Sequence, residues 1–326
     1  MISAKVIARS KSSVTGKEIV TFEIIYPRFI LAEFNTHRIL SKNSASSRAI
    51  PVSKVLEQVR DNPAMPVHFG KNQPGMSAKE ELTGYELQEC RDLWIEASLR
   101  AAEIAEEMTE LGLHKQVANR ILEPFQYMKT VVTGTEWDNF FHLRRHPDAD
   151  PNINALAEAM WQALQAAPPA FVLEPGEWHL PYVHTTRQIK RLEEPTQTGE
   201  IEYWDLRAAK KLTLEEALAI SSSCCAQTSF RTSDTSIEKA QMIFAKLVES
   251  KPVHASPFEH QATPMTIAYG YQAEALRQPQ DVTWRCDEGT THQDVSGNFW
   301  SGNMRHFVQH RQLIPDNACW NYKEHA

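Results

Sequence analysis

Residues 35–51 read NTHRILSKNSASSRAIP. Arg38, Arg48, His37 and the serines Ser41, Ser44, Ser46 and Ser47 stand here without a single carboxylate. A turn needs only one or two small polar residues, and a solvated face mixes acids with bases. Arginine presents a planar fork that matches phosphate oxygens, and hydroxyls add neutral donors. A hydrogen bond to a charged partner contributes roughly 1.5–3 kcal/mol, so the stretch reads as a place for an anion such as a nucleotide phosphate. A Ser/Asn-rich loop with incidental arginines accounts for the composition equally well.

Just upstream, GKEIVTFEIIYP (16–27) is rich in β-branched residues and reads as a strand. Pro27 suits the first turn of a helix. A helix from there to about Leu40 would place Glu33, His37 and Ser41 four apart on one stripe, with the serine-rich loop at its end.

Downstream, Ser77-Ala-Lys-Glu80 reads as a capping box opening a long helix to about Leu111, with Gly112 as its stop. LHKQVANRILEPF (113–125) reads as a helix and YMKTVVTGT (127–135) as a strand. EWDNFFHLRR (136–145) and NINALAEAMWQALQAA (152–167) read as helices around HPDADP. Residues 168–210, with PGEW and HLPYV, read as a connecting segment or lid. Capping boxes at Thr213–Glu216 and Thr235–Glu238 open two more helices. HASPFEH (254–260) reads as a helix start, Ser256 capping and Pro257 first. WSGNMRHFVQHRQLIP (300–315) carries a helical pattern with Arg305, His306, Gln309 and His310 on nearby turns.

The whole chain has 326 residues, 42% hydrophobic and 23% charged, with a net charge of −7. These values fit a globular protein and disfavour a broad basic nucleic-acid surface. No apolar run approaches the roughly 18 residues of a membrane span, and MISAKVIARSK lacks a signal-peptide core. Five scattered cysteines, two of them adjacent (Cys224 and Cys225), suit neither a disulfide framework nor a zinc spacing. A reduced, cytoplasmic protein is expected.

A second basic set, Arg120 with Arg144 and Arg145, offers another anion site; Arg144 beside Phe140, Phe141 and Leu143 also suits a buried stem paired with an acid. Two histidine pairs four apart (142/146 and 306/310) lack the glutamate of HExxH and a third ligand, so no metal is expected. No cysteine sits in a nucleophile motif. No GxGxxG follows a strand, and there is no Walker motif.

Taken together, the motifs resemble those of flavin-dependent thymidylate synthases. His37-Arg38-x-x-Ser41-x-Asn43-x-x-Ser46-x-Arg48 is similar to their RHRxxSxNxxSxR signature at six spaced positions. Arg120-Ile-Leu-Glu-Pro124 resembles ARxxLP, and Asn139-Phe-Phe-His-Leu-Arg144 resembles NFLxLR. Ala226-Gln-Thr-Ser229-Phe resembles ARVSF, and the stretch His254–His260 resembles HxTPFEH. The last two precede the signature in the usual family and follow it here, so the chain resembles a circularly permuted member. It would divide into a nucleotide-binding half at 1–165, a connecting segment or lid at 166–212, and a flavin-site half at 213–326. Permutation leaves a site of spatial neighbours intact.

The resemblance implies an α/β (α+β) fold, an antiparallel or mixed sheet flanked by helices, assembled as a homotetramer with interfacial active sites. It implies FAD as cofactor, with NADPH and methylenetetrahydrofolate as co-substrates, and reductive methylation of dUMP to dTMP. Glu33, Ser46, Arg48, Arg120 and Arg144 would contact dUMP, with Arg144 and Ser46 catalytic. His37, Arg38, Asn139, Ser229, His254 and Ser256 would contact FAD. Departures are Thr36 for the first signature arginine, Thr133 and Thr135 for an Asn and an Arg before the NFLxLR helix, and Ser44 for a Glu. A hydroxymethylated product, or a silent nucleotide-binding assembly protein, are the alternatives.

Overall fold

The computed structural model describes residues 1–186, 201–206, 208–228, 234, 236–266, 289–319 and 321. Its centre is strand β2 (Glu18–Pro27), in a five-stranded sheet with strand order β3-β4-β2-β1-β5. Val20, Phe22, Ile24 and Tyr26 alternate along β2 and are buried, as are Ile19 and Thr21 on the opposite face. Both faces of β2 are therefore covered.

Strand β1 (Ser3–Ser12) forms an antiparallel hairpin with β2, with an irregularity between Val6 and Ala8. Beyond β2, α1 (Leu31–Asn35) leads to β3 (Ser41–Ser44), and helices α2 (Val52–Asp61), α3 (Gly84–Glu110) and α4 (Lys115–Ala118) follow. Strand β4 (Tyr127–Gly134) then inserts between β2 and β3, pairing Ser41 with Thr133 and Ser44 with Thr130. Helix α5 (Asp138–Arg144) and helix α6 (Pro151–Ala166) pack back onto the sheet, and β5 (Phe171–Leu173) closes its edge parallel to β1.

The main core lies between this sheet and α5–α6, around Phe22, Tyr26, Phe34, Trp137, Phe140, Leu156 and Met160. A second core gathers Trp178, Leu180 and Tyr203 against the helix Leu214–Ala226 and Ala240 of the helix Ile237–Glu249. The molecule is thus mixed α/β, with its main sheet flanked by helices.

Several expected elements change form. The helix from Pro27 shrinks to a 3-10 turn at Arg28–Ile30 and the five residues of α1. Thr36 Oγ1 donates to the Glu33 carbonyl at 2.7 Å, a local bond that competes with helix continuation. The expected stripe of Glu33, His37 and Ser41 therefore does not form: His37 lies in a turn and Ser41 begins a strand.

Helix α3 starts at Gly84 rather than at Ser77. The intended cap residues pair instead with residues 69–71: Lys71 N donates to Glu80 O, Leu82 N to Phe69 O, and Lys71 forms an ion pair with Glu80. Residues 113–125 hold only α4 and a 3-10 turn at Glu123–Phe125, because Asn119 turns its amide to Ser47 O and Ile50 O. The box at Thr213–Glu216 forms in full. The next helix takes Ser236 at its N-cap without a side-chain bond; Thr235 lies outside the described residues. Ser256 is the first residue of a 3-10 turn, Ser256–Glu259, with Ala255 in the cap position.

The tail is largely extended rather than helical. Phe299–Ser301, Met304–Arg305 and Phe307–Gln309 are strands, and only His310–Leu313 is helical. Gly302 (φ +55°) and His306 (φ +64°) adopt left-handed backbone, which a helix excludes. Phe307–Gln309 pairs with Ala262–Pro264.

Candidate functional site

Arg144 closes α5, and three residues of the α1 turn hold its guanidinium. Nε donates to His37 Nε2 at 2.8 Å, Nη1 forms an ion pair with Glu33, and Nη2 lies 3.4 Å from Thr36 Oγ1. The aromatic core places α5 against this turn, since Phe140 meets His37 edge-on at 5.0 Å and Phe34 at 5.9 Å. His37 is buried, and its pKa falls to about 4, mainly through desolvation and then through the Arg144 and Lys42 charges. The Glu33 carboxyl is pushed up by burial, against the opposing pull of Arg144. Arg144 also lines a cavity of about 410 Å³ with His142, Leu143, His146, Asp148 and Ala149.

Ser46, Arg48 and Arg120 form a separate set. Arg48 and Arg120 are exposed. The Glu123 carboxylate organises this end: it accepts from Ser47 Oγ at 2.9 Å and pairs with Arg28 and Arg120, each at 3.1 Å. Strand β3 intervenes between this loop and the His37 turn. Four residues at 3.3 Å each make it about 13 Å long, so Arg48 and Arg120 flank one end of β3 and Arg144 the other.

The third set arrives from the far part of the chain. Gln309 Nε2 donates to Ser41 Oγ at 3.3 Å and to Glu259 O at 2.9 Å, tying the Ser256–Glu259 turn to β3. Asn43 Nδ2 donates to Cys225 O at 3.3 Å, at the end of the helix Leu214–Ala226. Lys42 Nζ donates to the His37 carbonyl at 2.5 Å. Its pKa drops to about 8 through burial, with Glu259 opposing. Segments from 182 to 268 positions apart in the chain thus converge on β3, which brings the HASPFEH turn and the end of SSSCCA to the signature strand. His254 and Ser256 are exposed there, as are Arg38 and Asn139. Ser229 lies outside the described residues.

Sequence reasoning missed Lys42, Gln309 and Glu123. Lys42 stood in the opening stretch, and Glu123 sat three residues after Arg120, an ion-pair spacing. Gln309 was noted only as part of a helical pattern, which gives no signal of its reach to Ser41 and Glu259. Thr133 and Thr135 face inward. Thr133 Oγ1 lies 2.7 Å from Thr21 Oγ1 and 2.8 Å from His260 Nδ1, while Thr135 Oγ1 accepts from Arg305 N at 3.1 Å. Among the described residues, no helix is long and apolar enough to cross a membrane.

A search of curated proteins finds no match. Among solved structures, the UMP/dUMP methylase PolB from Streptomyces cacaoi bound with 5-Br UMP is similar at 18% identity. That match covers 50% of this chain and 88% of PolB with a TM-score of 0.41. The same protein with 5-Br dUMP matches at 15% identity, 50% and 90% coverage, and a TM-score of 0.37. Thymidylate synthase X from Helicobacter pylori, with FAD and dUMP, matches at 17% identity, 45% and 67% coverage, and a TM-score of 0.32. The family model for thymidylate synthase complementing protein matches residues 2–170, more than half of the 326 residues and the part that carries the signature strand and the four candidate arginines Arg38, Arg48, Arg120 and Arg144. The chain belongs to the thymidylate synthase complementing protein family.

Proposed function

We propose that the protein is a flavin-dependent enzyme acting on the uracil ring of dUMP. It makes dTMP with a one-carbon unit from methylenetetrahydrofolate and hydride from NADPH. The observation that carries this reading is the Arg144 guanidinium, held by Glu33 and His37, on a residue that also lines a cavity. A fixed cation of that kind stabilises negative charge as it develops on a uracil carbonyl. Family membership supports the same reading.

The donors around β3 fit FAD: Arg38, Asn139, His254 and Ser256 are exposed N–H and O–H donors, suited to a pyrophosphate and a polar ring edge. Together with His37 and Ser229 they would hold it. Bound there, the flavin supplies the hydride chemistry that side chains lack. Neutral His37 keeps Arg144 in place by accepting from Nε, and Glu33 holds its plane. Ser46, Arg48 and Arg120 would bind the nucleotide phosphate.

Those phosphate residues and Arg144 flank opposite ends of β3, a separation that supports active sites shared between copies in a homotetramer. One copy would present Arg144 to the base while another grips the phosphate.

The test is spectroscopic. The protein is mixed with FAD, reduced anaerobically with NADPH, then given dUMP and methylenetetrahydrofolate. Flavin reoxidation that needs both substrates, with dTMP formed, is the expected result. A hydroxymethylated nucleotide would change the reaction assigned. Absence of flavin binding would overturn the enzyme reading in favour of a silent nucleotide-binding protein.

A further inference from the structure

A continuous line of buried polar side chains crosses the main sheet, and the proposed chemistry does not use it. Ser10 Oγ lies 2.9 Å from His179 Nδ1, and His179 Nε2 lies 2.8 Å from Thr21 Oγ1. Thr21 Oγ1 is 2.7 Å from Thr133 Oγ1, which is 2.8 Å from His260 Nδ1. All five residues are buried, and both histidines, Thr21 and Thr133 are 1% exposed or less. Burial lowers both histidine pKa values to about 3, so both rings are neutral at neutral pH.

Neutral rings and single hydroxyl protons make the line directional. If Ser10 donates to His179 Nδ1, then His179 Nε2–H donates to Thr21, Thr21 to Thr133, and Thr133 to His260 Nδ1. Reversed, every link reverses together. In either sense the line ends at His260, whose Nε2 has no hydrogen-bond partner among the described residues. The Thr133 hydroxyl is therefore the polar group that anchors the His260 ring.

His260 caps the Ser256–Glu259 turn, which carries Ser256 and follows His254. The next residue, Gln261, accepts from His310 N, and His179 exchanges backbone hydrogen bonds with Ala262. The line thus joins β1, β2 and β4, inside the family-matching part, to residues 179 and 260, outside it.

We propose that Thr133 is a positioning residue for the flavin site. Through His260 it fixes the 254–260 turn against the sheet, so that His254 and Ser256 face the cofactor. This rests on the flavin reading above. Here the threonine's role is turned inward: rather than reaching the cofactor, its hydroxyl orients another segment that does. Thr21 and His179 support it from behind, because a hydroxyl already engaged on its far side has one fixed direction left for His260.

The test is Thr133→Val, which keeps the branched shape and removes the hydroxyl. Amide hydrogen exchange over 254–261, read against the β2 and β4 amides, should rise at least tenfold in the variant while the strands stay protected. FAD titrated into the wild type and the variant should show an about tenfold higher Kd for the variant, equivalent to about 1.4 kcal/mol. The Kd for dUMP should move less than twofold. Thr133→Ser, which restores the hydroxyl, should return FAD affinity to within about twofold of wild type.

Unchanged exchange at 254–261 would overturn the proposal, even with no flavin present. Equal FAD affinity in Thr133→Val and wild type would also overturn it. So would exchange that rises across the sheet together with loss of dUMP binding, since the hydroxyl would then serve general stability. A wild type that binds no FAD at all fails the enzyme reading itself, and the exchange result still judges the positioning of the turn separately.

Discussion

Arg144 donates from Nε to Nε2 of His37, and that bond fixes the state of the histidine. Its Nε2 must offer a lone pair, so the single proton sits on Nδ1 and the ring is neutral. An imidazolium would set two cations 2.8 Å apart.

The same logic sets an acid limit on stability. His37 and His310 are held down to about 4, and His179 and His260 to about 3, in each case chiefly by burial. Unfolded histidines take up their protons near 6.5. Between that value and the native ones, the unfolded chain binds more protons, so stability falls as pH drops from about 6.5 toward 4 and is flat above 7 for these groups. Each fully buried histidine contributes a slope of up to about 1.4 kcal/mol per pH unit. Urea midpoints at pH 7.5, 5.5 and 4.5 measure it; equal midpoints at 7.5 and 4.5 would contradict the burial of these rings.

Arg144→Lys keeps the charge and loses the fork. A lysine cannot meet Glu33, His37 and Thr36 together. If Arg144 supplies a fixed cation to the base, kcat/KM for dUMP should fall about 100-fold, with a melting temperature near that of wild type. Wild-type turnover in this variant would remove Arg144 from the chemistry.

Glu123 is the hub of the other arginine cluster. Glu123→Ala would leave Arg28, whose side chain is 12% exposed, without its carboxylate, and would free Ser47 and Arg120. Loss of about 2 kcal/mol is expected, with weaker dUMP binding as the Ser46–Arg48 loop loosens. Chemical denaturation and a nucleotide titration read the two effects independently.

Phe140 joins the rings of Phe34, Trp137, Phe141 and His37. Phe140→Ala should cost about 3–5 kcal/mol through lost contacts and the cavity left behind. A loss under 1 kcal/mol would mean that the aromatic cluster does not carry the main core.

Where sequence pattern and structure agree, one period dominates locally. Strands β2 and β4 are dense in β-branched residues, and α5 and α6 have clear apolar faces. The Thr213 box forms because Glu216 returns its carboxylate to the Thr213 amide at 2.9 Å. Where they part, a long-range partner outbid local preference. The Ser77–Glu80 box was consumed by pairing with residues 69–71. The tail lost its helical pattern to pairing with Ala262–Pro264, which no local window contains. Strand β1 passed unread because its alternation is diluted by Lys5, Arg9 and Lys11 and shifted by the irregularity between Val6 and Ala8. For the site, the signature residues were named through the resemblance of their motif to a family pattern. Lys42, Gln309 and the Thr133–His260 link were not, since each depends on which distant segments meet.

The short strand Phe171–Leu173 lies just past the family-matching residues 2–170 and covers the outer edge of β1 through Ser10, Lys11 and Ser12. A fragment trimmed to that boundary would leave the end of β1 with unmated backbone donors and acceptors, a template for pairing with another chain. It would also lose His179, leaving Ser10 and Thr21 facing an empty polar hole. A fragment that keeps this edge of β1 paired and Ser10 and Thr21 partnered would therefore have to run past residue 179.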